Sequence, residues 1–189
     1  MAHSKNSVIT GKLSGILGKE LVFRDWEGKT VVAKAPKGRT TAATAAQAKT
    51  QEQFLLASRY GKAVITGTDQ GIRDAYNAAL KPRQNLYARA VEDFMSPPVV
   101  KSIDTSSYTG TVGNNITIRA VDDFRVTGVQ VEIFAASGVL LEKGNAVQQT
   151  NGIDWIYTAT LANSPLPGTR INSIATDVPG NQGTLQVTL

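Results

Sequence analysis

The feature that most limits what this chain can fold into is a pair of consecutive prolines near its midpoint, in Ser96-Pro97-Pro98. Proline lacks a backbone N–H and disfavours helix at the residue before it, so a helix ending near Phe94 and Met95 stops here by sterics. The residues on the two sides follow different patterns. Residues 41 to 95 are rich in Ala, Gln and Arg, whereas residues 99 to 189 are rich in Val, Thr, Ile and Gly. The first composition favours helix and the second favours strand. Charge divides at the same point: 15 Lys or Arg stand against 8 Asp or Glu up to Pro98, and 5 against 7 after it, within a formal net charge of +5. The halves therefore face different surroundings, or face each other. The expected fold is α+β in two parts, with a Gly-rich basic arm and β-hairpin over 1–40, a short helical region over 41–96 and an all-β sandwich over 97–189.

In the first part, Leu21 to Arg24 and Thr30 to Lys34 flank Asp25-Trp26-Glu27-Gly28-Lys29, which predicts a hairpin with a Gly in its turn. Gly11, Gly15 and Gly18 before it predict a flexible or tightly turning arm. From Thr40 or Thr41, either of which can cap a helix, Ala45, Ala48, Glu52, Leu55 and Arg59 recur at spacings of three and four and mark one helical face. A second helix is expected from Asp69 to Leu80, with Ile72, Tyr76 and Ala79 on a stripe. A third, opened by Pro82, aligns Leu86, Ala90 and Phe94, with Tyr87 and Val91 beside them. Large apolar residues are few here, and so short a domain buries too little surface to stand alone. The helices are expected to pack on the hairpin, the sandwich or another subunit.

After the prolines, seven β-rich runs alternate with turn residues: Val100 to Ile103, Ile116 to Ala120, Val126 to Phe134, Leu140 to Lys143, Trp155 to Leu161, Arg170 to Ala175 and Thr184 to Leu189. That density is the density of a sandwich. Ile116-Thr117-Ile118-Arg119 and Gln130-Val131-Glu132-Ile133 alternate apolar with polar, so each should have one buried face and one wet face. Asp122 and Asp177 occupy matching strand-corner-strand positions, where an Asp side chain accepts turn N–H groups without any ligand. Trp155 is the natural large core residue.

Composition excludes several kinds of chemistry. With no Cys, there is no thiol nucleophile, zinc-thiolate site or disulfide framework. His3 is the sole histidine and lies at the terminus, which argues against Ser-His catalysis. Glu92-Asp93 and Asp122-Asp123 are paired carboxylates outside any EF-hand pattern, and neighbouring residues on a helix diverge. For Asp122, Asp123 and Asp177 a corner-capping role is favoured over calcium binding, so no catalytic residue, metal ligand or cofactor site is expected, and Gly18-Lys19-Glu20 does not complete a phosphate loop. No secretory leader or membrane-spanning run is legible in the sequence. Lys29, Lys34, Lys37 and Arg39 form the densest basic stretch, close to Trp26, and with Gly15 and Gly18 they are the candidate partner-binding residues. Nucleic acid held by phosphate contacts and stacking is the alternative use of that stretch, and a solvated or subunit-facing surface is favoured over it.

Ala175, Asp177, Pro179, Gly180 and Asn181 spell an Ala-x-Asp-x-Pro-Gly-Asn corner. Over residues 99 to 189 the chain resembles bacterial and phage immunoglobulin-like modules that end in this corner, which implies an immunoglobulin-like sandwich and leaves function open. Leu13 to Gly18, Trp26 to Lys34 and Thr44-Ala45-Ala46-Gln47 resemble uncharacterised Bacteroidetes-type proteins with similarity to phage-derived structural components. The function expected is a non-catalytic structural subunit of a large assembly, such as a phage virion or phage-tail-like particle. It would be made in the cytoplasm, pair with copies of itself or other subunits, dock through its N-terminal half and project its sandwich. The rival is a soluble carbohydrate- or ligand-binding module using Trp155, Tyr108 or Tyr157 as exposed platforms. Burial of Trp155 would favour the scaffold.

Overall fold

The computed structural model of the protein describes residues 13–26, 28–38 and 41–189, together with the backbone of residues 2–4. The chain divides into two compact units, Met1–Ala45 and Ala46–Leu189.

The first unit is a four-stranded antiparallel sheet. Its strands β1 (Ala2–Ser4), β2 (Gly15–Leu17), β3 (Leu21–Trp26) and β4 (Lys29–Lys34) lie in the order β1-β4-β3-β2. β3 and β4 form the predicted hairpin, with Trp26 opposite Lys29. Gly28 takes a φ of 74° in its turn and donates its N–H to Asp25 Oδ1 at 2.9 Å. The expected arm is partly sheet instead. β2 folds back on β3 through Gly18 and Lys19, whose φ values of 60° and 59° suit a primed hairpin turn, and Glu20 N–H bonds Leu17 O at 3.1 Å. Among the described residues of this unit, only Val22 and Thr30 are buried. Gly11 and Thr40 lie outside the described residues, as does the side chain of His3.

The second unit contains three helices, α1 (Ala45–Thr66), α2 (Gln70–Ala78) and α3 (Leu86–Met95), and eight strands. Asp69 caps α2 by accepting from Ile72 N–H at 3.0 Å, and Asn85 caps α3 by accepting from Ala88 N–H at 2.8 Å. Pro82 sits in the connection ahead of α3, because Asn85 supplies the side-chain oxygen that starts the helix. On α1 the face expected to pack, Ala45, Ala48, Glu52, Leu55 and Arg59, is exposed. The buried residues are Ala57, Gly61 and Val64. Gly61 decides this, since a Cβ there would lie 2.9 Å from Val91 Cγ2 and 3.0 Å from the Tyr87 ring of α3. The two helices approach closely at that level, and Tyr87 OH donates to Ser58 Oγ at 3.0 Å beside it.

Strands β5 (Val99–Asp104), β6 (Asn115–Val121), β7 (Val126–Phe134), β8 (Leu140–Asn145), β9 (Val147–Gln148), β10 (Asp154–Thr158), β11 (Arg170–Asp177) and β12 (Gln182–Thr188) make two further antiparallel sheets, ordered β5-β6-β10-β9 and β12-β11-β7-β8. Each predicted strand is present. β9, two exposed residues long, is too short to leave a periodic trace. Ile116 and Ile118 of one sheet and Val129, Val131, Ile133 and Ile171 of the other share a single core, as the alternation requires.

The helices close over this β unit rather than standing apart from it. Val64, Tyr76 and Ala90 pack with Tyr60, Ile72 and Leu86, and with Phe124 and Val178 from the loops that follow β6 and β11. Tyr76 stacks on Phe124 with ring centroids 4.5 Å apart. Pro97-Pro98 ends the helical pattern but opens no gap: Pro98 is buried, and its carbonyl lies where a Cβ on Gly183 would stand, 1.8 Å away. A mixed α+β architecture with antiparallel sheets is thus what the chain adopts.

Candidate functional site

The candidate partner-binding residues fall into separate places on the first unit. Trp26 is 67% exposed and is paired across the hairpin with Lys29, so the two side chains share one face of the sheet. Lys34 is five residues along the same strand from Lys29. An odd spacing puts it on the opposite face, about 16 Å further on. There it lines a hollow of about 740 Å³ with Lys19, Glu20 and Lys37. The basic stretch is therefore two sites in space, one holding Trp26 and the other holding three lysines. Arg39 lies outside the described residues. Gly15 and Gly18 take positive φ, which by itself accounts for glycine at both positions, and within the chain a Cβ at either would meet open space.

In the second unit the helices and the β loops bring together a polar group that the sequence scatters. Asp93 of α3 is fully buried, with Asp122 and Asp123 of the β6–β7 connection beside it. Among the described residues, one carboxylate oxygen from each of these three lies within 4.8 Å of the others. Arg89, one helical turn before Asp93 and 2% exposed, donates from Nη1 to Asp123 Oδ2 at 2.8 Å and from Nη2 to Asp123 O at 2.9 Å. Its Nη1 also reaches Glu92 Oε2 at 3.2 Å.

Hydrogen bonds reach part of this group only. Tyr76 OH donates to Asp93 Oδ2. Tyr60 and Tyr76 share a hydroxyl contact of 2.8 Å, in which Tyr60 must donate because Tyr76 has already given its proton to Asp93. Asp122 Oδ2 accepts from Phe124 N–H and Arg125 N–H at 3.0 and 2.8 Å, the corner-capping role expected of it. Asp177, at the second corner, accepts from Asn181 N–H at 2.6 Å and from Asn181 Nδ2 at 2.7 Å. Asn181 Nδ2 also bonds Phe94 O at 3.1 Å, which ties the corner to the end of α3. Asp93 Oδ1 and Asp122 Oδ1 are buried and meet no donor.

The electrostatics follow from that geometry. Burial is the largest influence on Asp93 and raises its carboxyl to about 7 against the lowering bond from Tyr76, with the charges of Asp122, Asp123 and Asp177 acting in the same upward direction as burial. Burial likewise raises Asp177. Burial opposes the charge of Arg89, but the bond and charge of Asp123, with Glu92 and Asp93, outweigh it and hold the guanidinium charged. The sequence marks Asp93 only as half of a carboxylate pair and gives Arg89 no role, so their meeting with Asp122 and Asp123 was not foreseen. The available signal was their place on the Leu86, Ala90 stripe of α3, where a charged residue must find a buried partner.

The aromatics named as a ligand platform, Trp155, Tyr108 and Tyr157, are all in the core, with Trp155 only 6% exposed. They support packing between the sheets and offer no stacking surface. No helix among the described residues is long and apolar enough to cross a membrane. No family model and no curated protein matches the chain. Among solved structures it has a weak likeness to one described as an engineered protein, at 22% identity and a TM-score of 0.34, over 48% of this chain and 18% of that one. A likeness of that degree carries no argument about fold or function.

Proposed function

We propose that the protein is a non-catalytic interaction subunit of a larger assembly, with the first turns of α1 as a principal docking element. The observation that supports this is the exposure of α1 along its whole circumference from Ala46 to Leu56. Phe54, Leu55 and Leu56 are successive there and are 54%, 52% and 45% exposed. Those three turns bury no face, so they extend the packed part of α1 without gaining from packing within the chain. Apolar residues clustered on such a segment mark a surface that a partner covers.

The strand order of the two sheets of the second unit supports an immunoglobulin-like reading of the β unit. Lettered A to G in chain order, with β8 as C′, the sheets are A-B-E-D and G-F-C-C′. The chain departs from antibody domains in having no disulfide and in carrying its buried Trp155 on the fifth lettered strand, β10. Such modules serve many functions, so the fold supports a structural role without naming the particle. A phage-type particle is the finer proposal, resting on the sequence resemblance.

Native mass measurement and light scattering test the assembly. The full chain is expected to form oligomers, and replacing Phe54 and Leu55 together by Glu should shift it to monomer with an unchanged circular-dichroism melt. A wild-type chain that stays monomeric across the accessible concentration range, or a double variant that assembles as wild type does, rejects α1 as the docking element.

A further inference from the structure

The Asp93 group is poorly explained as a purely structural ion pair. Its one buried cation, Arg89, is committed to Asp123 and Glu92, so the two guanidinium nitrogens that make bonds are both spoken for. Arg89 Nε is buried too and contacts no acceptor, so it does not serve Asp93 or Asp122. Asp93 Oδ1 and Asp122 Oδ1 are left as buried carboxylate oxygens without a donor. An unpaired carboxylate oxygen out of water is costly enough that something positive normally meets it.

The spacing says what fits. Oxygens from Asp93, Asp122 and Asp123 lie within 4.8 Å of one another, the span of two ligands across a cation bound at about 2.4 Å. The donor set is all oxygen, which suits hard divalent cations. Calcium accepts irregular oxygen shells at such distances, whereas magnesium asks for a tight octahedron. We propose that Asp93, Asp122 and Asp123 form a calcium site that fastens α3 to the connection between β6 and β7.

The consequence is mechanical. Asp93 comes from the helices and Asp122 and Asp123 from the β unit, so a bound cation bridges two layers otherwise joined here by the Tyr76–Phe124 stack and the Arg89–Asp123 pair. Calcium would make the junction rigid and its removal would loosen it. This inference is independent of the assembly proposal, because it concerns a site within one chain.

The test uses the full chain stripped of metal with a chelator. Calcium chloride is titrated by calorimetry and its effect on thermal unfolding is measured, with magnesium chloride and ionic-strength-matched sodium chloride alongside. One calcium per chain is expected, with a rise in the unfolding midpoint that sodium does not reproduce. In Asp93→Asn the affinity should fall at least about tenfold. That variant keeps its shape and loses a repelled charge, so the metal-free form should fold. Asp123→Asn is the second variant and should weaken binding in the same direction. An unfolding midpoint unmoved by millimolar calcium, or moved equally in wild type and both variants, overturns the site. So does a calcium-insensitive midpoint that responds to pH alone, which would give the balancing role to a proton.

Discussion

Asp93 is held where two free energies oppose each other. Folding takes its carboxyl away from water and, to a lesser degree, sets it among other carboxylates, which raises it from 3.8 to about 7. Between those values the folded chain keeps a proton that the unfolded chain has released. For this group stability is fully present below 3.8 and is lost as pH rises through about 7. Asp177, raised by burial, adds to the same slope. Glu92 is lowered by bonds from Lys81 and Gln84 and works in the opposite sense, weakening the fold only as the pH falls through the acid range. In metal-free solution the unfolding midpoint should therefore drop between about pH 4 and pH 7, and Asp93→Asn should flatten the slope; scanning calorimetry across that range checks both. A different residue-scale constraint acts at Gly183. Its missing Cβ makes room for the Pro98 carbonyl, which as backbone cannot swing aside. Gly183→Ala is expected to cost about 3 kcal/mol, the upper end for overpacking, as read by urea unfolding.

At the scale of elements, the strands were legible because their burial has a period of two that the sequence repeats. Ile116 and Ile118 alternate with Thr117 and Arg119, and β6 buries the expected face. The helices were harder. α1 has small and apolar residues at several registers, so spacing alone could not select among its faces. The selection was made by α3, which needs the absence of a side chain at Gly61 to bring Tyr87 and Val91 close. This leads to an expectation with two opposing terms. Gly61→Ala gains about 1 kcal/mol of helix propensity and loses a similar amount in crowding, so it should be nearly neutral. Gly61→Leu has no such offset and should destabilise by about 1–3 kcal/mol. Denaturant midpoints of the two variants separate the terms, and equal effects would show that the α1–α3 contact is not set at this position.

At the scale of the whole molecule, the helices belong with the β unit. Phe124 and Val178 are covered by helical residues, and Asn181 bonds the end of α3. A fragment of residues 46–189 should therefore unfold in one cooperative transition. A fragment of residues 97–189, with those loop side chains bared, should melt lower and bind a hydrophobic dye; calorimetry and fluorescence of the two fragments compare them. The sequence by itself determined the helical and β halves, the stop at Pro97-Pro98, the β3–β4 hairpin and the corner roles of Asp122 and Asp177. All of these rest on propensity, periodicity or hydrogen bonds between near neighbours in the chain. Only the tertiary structure decided that Gly61 sets the packed side of α1 and that Asp93 meets Asp122 and Asp123. Those facts depend on which distant segments share a buried volume, and no local pattern records the partner that a buried charge will face.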